Sequence, residues 1–528
     1  MVTFGGPSMH LRLFDVVIII VYAMLVLTVA RLFRRSGRPD EEEFDDRAPA
    51  QRSLPWWAIG TSLIAANISA EQIIGMSAAA FAMGIGIAGY EWLAAIAMVI
   101  SAKYFLPVFL EHRILTMPQF LRLRYGAKTQ VAMAAFWIAL YTLVNLTATM
   151  WLGANAVHAV TGLSLTMSVV MLGLVAGNYA LYVGLKATHF TDVVQVAMLV
   201  LGGLVMSVYA LEKIGGGDGL LAGFAILRAG LPEHFHMVLA PDNPYYKYLP
   251  GLAALGGSMW VVQLSYWGFN QGIVQRALSA SSADEVRKGM ILAAFLKLLM
   301  PLIVVLPGLA AAYLLEGPLA RADEAYPLLM TTLPPGFLGF VFVALVAAII
   351  ASTGSTLSSI ARIFTSDIVE VLYPLASRRL LWILGRFTAI GALIAGMALA
   401  TPLLGHDDQA FQYIQEYTGF LSPGVVTIFV LGLFWPRANE TGALLAAGAS
   451  VLGSAVYALA LPEIPFLIRM GHVFILCVVL AFAGSLLTKP HPENCVDLGG
   501  VAFRTGPRFA AAASAIFVCL IALYWTFW

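Results

Sequence analysis

Charged side chains are scarce here, at 11% of 528 residues, less than half the ~25% of an ordinary soluble domain. That density cannot cover the surface of a water-soluble globule, so a soluble fold is excluded. Cysteine is scarcer still. Cys477, Cys495 and Cys519 show no CxxC or metal spacing; two fall in apolar runs and one in a polar connector. They read as packing residues or free thiols, which sets aside a disulfide scaffold and a cysteine-bound metal. A small-residue cleavage site is also missing after the first apolar run, Phe14 to Leu32, which leads into Arg31-Leu32-Phe33-Arg34-Arg35. That flank resembles a stop-transfer signal, so the run is expected to stay as a span rather than leave as a signal peptide. Finally, the apolar runs hold no His/Asp/Glu constellation with metal-ligand spacing, which argues against an intramembrane enzyme.

Apolar residues are what the chain does have: 60% of positions, in long blocks rather than with a 3.6- or 2-residue period. Such blocks let an α-helix cross ~30 Å of hydrocarbon, where a backbone must satisfy its own hydrogen bonds. Fourteen spans are expected, at about 14–32, 56–77, 84–106, 130–152, 163–184, 190–211, 250–275, 288–315, 336–365, 380–402, 411–434, 441–460, 470–488 and 508–528. Trp56-Trp57, Tyr104, Trp435 and Trp525 lie near span ends, as interfacial anchors do. Net charge near zero carries no message, but its placement does. Arg34, Arg35, Arg38, Arg47, Arg52, Arg113, Arg122, Arg124, Lys128, Arg276, Arg287, Lys288, Arg378, Arg379, Lys489 and Arg504 crowd one set of connectors. That set reads as cytoplasmic, which puts both termini outside. The expected organisation is a first helix and cytoplasmic linker over 1–54, a transport core over 55–435, and three further spans over 436–528. The acidic run Asp40 to Asp46 reads as a solvated linker, and 213–249, with His234 and His236, as a polar outside loop over the transport path rather than a metal site.

Polar side chains inside apolar spans are expensive, so those present face a cavity or a partner. The second span carries Asn67, Ser69, Glu71 and Gln72; the third Tyr90-Glu91-Trp92; the seventh Gln263, Ser265, Tyr266, Asn270 and Gln271; the eighth Lys297. The ninth carries Ser352-Thr353-Gly354-Ser355-Thr356, and the eleventh opens Phe411-Gln412-Tyr413-Ile414-Gln415-Glu416-Tyr417. Gln, Glu, Lys and Asn near aromatic rings suit a neutral polyhydroxylated ligand, whose hydroxyls both donate and accept. Hydroxyls beside carbonyls freed from a helix suit a weakly held hard cation such as Na⁺. A single Ser or Thr in such a span is more often a packing residue; for Glu91, Lys297 and Gln415 the ligand reading is preferred. The polar second and seventh spans are five apart, as the opening helices of two five-helix repeats are.

These residues also resemble a known family. The run Trp57-Ala58-Ile59-Gly60-Thr61-Ser62-Leu63-Ile64-Ala65-Ala66-Asn67-Ile68-Ser69-Ala70-Glu71-Gln72, with Tyr90-Glu91-Trp92, resembles the sodium/solute symporter family, and within it the sodium/glucose cotransporter branch with its bacterial sodium/galactose members. Thr191-Asp192, Tyr266-Trp267-Gly268-Phe269-Asn270-Gln271 with Gln275-Arg276, Ile363-Phe364-Thr365 with Asp367, and Tyr413-Ile414-Gln415 with Ser422-Pro423-Gly424 extend the likeness over about 55–440. The resemblance implies an all-α, leucine-transporter-like core of two inverted five-helix repeats, about 55–211 and 250–435, that works by alternating access. It implies that Gln72, Glu91, Lys297 and Gln415 hydrogen-bond sugar hydroxyls, with Gln263 at a further pocket position. Tyr266 is implied as the inner gate stacked on the sugar ring, Met76, Tyr90 and Phe411 as the outer lid. For Na⁺ it implies the carbonyls of Ala65, Ile68 and Ala348 with the Ser352 hydroxyl, and Asp192 near the exit route. Departures stand at Ala94 for a pocket serine, Gln263 for an asparagine, Ser265 for a tyrosine and Ala351 for a sodium-site serine.

The function expected is therefore sodium-coupled uptake of a neutral hexose through a bacterial inner membrane. Na⁺ is the coupling ion, with no organic cofactor and no nucleic-acid partner. The alternatives are a symporter of the same family for another small solute, a proton-coupled sugar carrier motivated by Ala351, and a non-transporting sugar sensor.

Overall fold

The structure is a computed structural model. It describes residues 11–34, 54–114, 116–315, 319–405, 409–489 and 494–528; for 180–194 and most of 23–34 it describes the helical backbone alone. Among the described residues the chain is all-helical, apart from an isolated bridge between Leu54 and Ala280. Ten helices are long and apolar enough to cross a bilayer, and Leu13–Tyr22, Leu165–Tyr179 and Leu220–Gly230 are shorter apolar helices. The acidic run Asp40 to Asp46 lies outside the described residues.

The helices that build the centre are α1 (Leu13–Arg34), α2 (Trp56–Asn67), α3 (Met76–Met83), α4 (Gly89–Ile100), α5 (Thr147–Thr161), α6 (Leu165–Gly215), α7 (Met259–Phe269), α8 (Ala283–Leu299), α9 (Phe337–Arg362), α10 (Ala410–Thr418) and α11 (Ser422–Phe434). The second expected span is α2, a break, a π turn over Glu71–Gly75, and α3. The break has a local cause. Asn67 and Ser69 compete with the backbone for hydrogen bonds; Ile68 is extended (φ −70°, ψ 112°), and the Ser69 hydroxyl accepts from the Gln72 amide at 3.3 Å. The chain then reverses at Gly84, whose φ of +78° suits glycine alone, since a Cβ would lie 2.4 Å from the His234 carbonyl.

The seventh expected span is likewise broken. A π turn over Ala254–Ser258 contains Gly257 in non-helical geometry (φ −129°, ψ −106°) before α7 begins. At the far end of α7 the Asn270 side chain accepts from the Gly272 and Ile273 amides and starts a separate short helix, Gln271–Ala277. The second and seventh spans thus share interrupted helices at opposite positions in the chain.

Two expectations are corrected. Spans 163–184 and 190–211 form one continuous helix, α6, started by the Ser164 side-chain cap and closed by left-handed Gly216. No turn forms near His189 although Gly184 stands in the expected connector, because a glycine lowers helix propensity by only about 1 kcal/mol and no proline is there to break the ladder. The segment 213–249 is not simply a loop, for it contains the apolar helix Leu220–Gly230. His234 and His236 there meet the backbone carbonyls of Phe81 and Trp528, at 3.2 and 2.9 Å.

Candidate functional site

The break after Asn67 opens onto a cavity of about 430 Å³. Its walls come from the two interrupted spans, from α4, α5, α6, α8, α9, α10 and α11, and from Trp137, Leu140, Tyr141 and Asn145 just before α5. Of the residues that sequence reasoning singled out, Gln72, Tyr90, Glu91, Gln263, Tyr266, Lys297, Phe411 and Gln415 all line this one cavity, as do Ala65, Ile68, Ala348 and Ser352. Met76 does not; it is fully buried, packed into the core one turn beyond Gln72. Asp192 falls on α6 where side chains lie outside the described residues.

The polar wall is a connected network. Lys297, 1% exposed on α8, places its Nζ 2.5 Å from Glu91 Oε2 on α4, each side chain only 2% exposed. The same ammonium donates to Asn67 Oδ1 at the end of α2 and lies 5.4 Å from the centre of the Trp267 ring. Glu91 Oε1 accepts from Gln72 Nε2, just beyond the break. Two opposite charges buried together are tolerable only when their remaining donors and acceptors are also met, and Asn67, Gln72 and Trp267 meet them. Asn67 then donates through Nδ2 to the Tyr266 hydroxyl at 3.3 Å, tying the aromatic residue of α7 to the broken helix. Gln263 is fixed by donating to the Tyr90 carbonyl at 2.6 Å. Across the cavity, Phe411 meets Tyr90 edge-on, ring centres 5.5 Å apart, and Gln415 faces the Tyr90 hydroxyl from the same helix.

A second group of atoms lies at the end of α2. The last carbonyls of an α-helix lack intrahelical partners; here the Ile68 amide caps that of Ile64, and the carbonyls from Ala65 to Ile68 are released by the break. Ala348 and Ser352 stand four apart on α9 and line the same space. Carbonyl and hydroxyl oxygens without a full negative charge form a donor set for a hard monovalent cation.

Sequence reasoning missed Asn67 as the atom that joins ion pair to gate, although an asparagine ending a helix inside an apolar span was its signal. Trp267 under Lys297 and the Glu71–Thr149 contact on the same cavity were also unassigned. Lys297 stands 30 positions after Trp267 and Thr149 78 after Glu71, separations that no helical or strand period encodes, so spacing alone could not show them.

Comparison with known proteins agrees with this architecture. Residues 49–449 match the sodium:solute symporter family. The chain belongs to that family. A "Sodium/glucose cotransporter" of Vibrio parahaemolyticus is 42% identical over 98% of this chain and 99% of its own length. A "Sodium/myo-inositol cotransporter 2" of Oryctolagus cuniculus is 30% identical over 83% of this chain and 68% of its own. Among solved structures, a Na⁺-coupled sialic acid symporter in a substrate-bound outward-open state superposes with a TM-score of 0.74, covering 91% of this chain and 99% of that one at 20% identity. Inward-facing Mhp1 gives 0.50 at 15% identity. These two likenesses carry the fold, a leucine-transporter-like core of inverted repeats. As a member of its family the chain is a multi-pass, sodium-coupled transporter and not an enzyme.

Proposed function

We propose that this protein couples Na⁺ to the uptake of a neutral hexose. The observation that carries the reading is the closed network of Gln72, Glu91, Lys297 and Asn67 on a cavity wall beside freed helix carbonyls. The charges in it cancel, so it suits a neutral ligand, while its donors and acceptors suit hydroxyls. Sugar hydroxyls enter by exchanging with bonds the protein already makes to itself; each exchange is worth only about 0.5–1.5 kcal/mol net, which allows release as well as capture. The relatives named for glucose and for myo-inositol both imply a six-membered ring bearing hydroxyls.

Gln72, Glu91, Lys297, Gln263 and Gln415 read the hydroxyls, Tyr266 closes the inner side, and Tyr90 and Phe411 close the outer side. Na⁺ is held by the Ala65, Ile68 and Ala348 carbonyls and the Ser352 hydroxyl. Its presence joins α2 to α9 and orders the segment that carries Gln72, so ion and sugar favour one conformation together, which is the condition for coupling. The membrane potential adds about 2.3 kcal/mol per charge per 100 mV. The arginine-rich connectors face the cytoplasm of a bacterial inner membrane, both termini face outward, and Asp192 stands on the route by which Na⁺ leaves. The cavity runs on to Arg276, on the cytoplasmic side of this assignment, while Tyr266 stays bonded to Asn67.

Counterflow of labelled D-glucose in proteoliposomes, with and without Na⁺, tests the reading. Sodium-dependent exchange is expected, lost in Gln415→Ala while the protein still elutes as a single folded species. Equal exchange without Na⁺ but with a pH gradient favours proton coupling, the reading that Ala351 in the sodium position supports. Full exchange in Gln415→Ala removes the pocket assignment.

A further inference from the structure

The helix α12 (Phe466–Leu487) lies beyond the residues 49–449 that match the family, yet its first turn reaches the helix that carries Gln415. Arg469 Nη2 stands 2.6 Å from Glu416 Oε1 on α10, the residue next to Gln415. The Arg469 side chain is 12% exposed, so water screens the pair little. Among the described residues Glu416 is its charged partner, and Arg469 Nε is buried without any hydrogen-bond partner. The next two residues continue the contact. Met470 Sδ stands 3.2 Å from the point where a Cβ on Gly419, the cap of α10, would lie, and a Cβ on Gly471 would lie 3.3 Å from the Ser258 hydroxyl. Ser258 belongs to the π turn that breaks the seventh span. Three consecutive residues of α12 thus touch α10, its end and the broken span.

At nine residues α10 is shorter than the ~12–15 that a helix needs to hold by itself, so its orientation comes from what it touches. Polar contacts tie the Ala410 amide to Asp323, the Tyr413 hydroxyl to the Leu143 carbonyl, and Glu416 to Arg469. The last is the one beside Gln415. Phe411 and Gln415, one turn apart, line the cavity, whereas Gln412 and Glu416, also one turn apart, do not. Gln412 is buried, and neither atom of its amide has a hydrogen-bond partner among the described residues, so it adds no second tether to that stripe. At the ~5–6 Å side-chain radius of a helix, a rotation of about 20° carries the Gln415 amide through about 2 Å, enough to break a hydrogen bond. We propose that Arg469 is a positioning residue for sugar binding: through Glu416 it fixes the rotation of α10 and so the direction of Gln415. This rests on the hexose-transport reading above and deepens it. A helix outside the inverted repeats then sets the affinity of a pocket it does not line.

The test is the half-saturation of labelled D-glucose counterflow, measured on the full-length protein in proteoliposomes. Arg469→Gln is expected to raise it about 3- to 30-fold. The maximal rate, and the half-saturation for Na⁺ at saturating glucose, are expected to stay near wild type. Glu416→Gln is expected to do the same. The double variant Glu416→Gln with Arg469→Gln is expected to be no worse than either single one, because each acts only through the other. Arg469→Lys keeps the charge and is expected to recover most of the affinity. Each variant must elute as a single peak; if Arg469→Gln does not, the double variant, which strands no charge, decides in its place. Wild-type half-saturation in Arg469→Gln or in the double variant, or losses that add in the double variant, overturns the proposal. Equal shifts for glucose and Na⁺ with a fallen maximal rate make Arg469 a packing residue and overturn it too. A wild-type protein without sodium-dependent exchange refutes the transport reading and this one with it, whereas an unchanged variant beside an active wild type refutes this one alone.

Discussion

Replacing Glu91 by Gln keeps the shape of the side chain and removes one charge of the buried pair. Lys297 Nζ is 2.5 Å from Glu91 Oε2, with both side chains 2% exposed. Stripping one partner from such a pair costs about 3–5 kcal/mol, because the other charge stays buried and unmatched. The low end applies here, since the ammonium keeps Asn67 Oδ1 and the Trp267 face at 5.4 Å. The effect on sugar is separate. A hydrogen bond to a charged acceptor is worth about 1.5–3 kcal/mol, so affinity should fall about 10- to 150-fold at 1.4 kcal/mol per decade. The double variant Glu91→Gln with Lys297→Met removes both charges at nearly constant volume and should recover most of the lost stability without recovering sugar affinity. Thermal unfolding in detergent gives the first quantity and the half-saturation of D-glucose counterflow the second. An E91Q protein unchanged in both, or a double variant that regains both, refutes the account of the network.

Two other outcomes follow from single positions. Asp323 lies outside the spans, buried, and accepts from the Ala410 amide at 3.0 Å and the Trp151 indole at 3.1 Å, so it pins the start of α10 to α5. Burial outweighs those bonds and the Arg321 charge and pushes its carboxyl up to about 7. A native value above the unfolded one near 4 means that the folded protein binds the extra proton between them. Stability from this group is therefore complete below about pH 4 and declines as pH rises through 7; Asp323→Asn should flatten the melting temperature over that window. Gly84→Ala forces a side chain into a φ of +78° with its Cβ 2.4 Å from the His234 carbonyl. The strain, about 1–3 kcal/mol before any clash, should appear as loss of the monodisperse peak in fluorescence-detected size exclusion of a tagged protein.

The membrane character and the helical class were legible residue by residue, because crossing hydrocarbon demands a long apolar run wherever the helix ends up. So was the concern with Gln72, Glu91 and Lys297, since a strong hydrogen-bonding group in such a run has to find a partner inside the protein. The motifs around them named the family. The tertiary structure decided which groups find which. Lys297 reaches Asn67 across 230 positions and Glu91 across 206, and no period in the sequence encodes a contact of that length. The same holds for Met76, which the resemblance assigned to the outer lid and which is buried in the core, not among the residues that line the cavity. It holds for the two spans that became α6, where Gly184 weakens the helix without stopping it, so the local sequence permits either a turn or a continued helix. Composition determined that the chain must bury its polar atoms from lipid; only the packing of distant helices determined that Glu71 would meet Thr149 rather than a base.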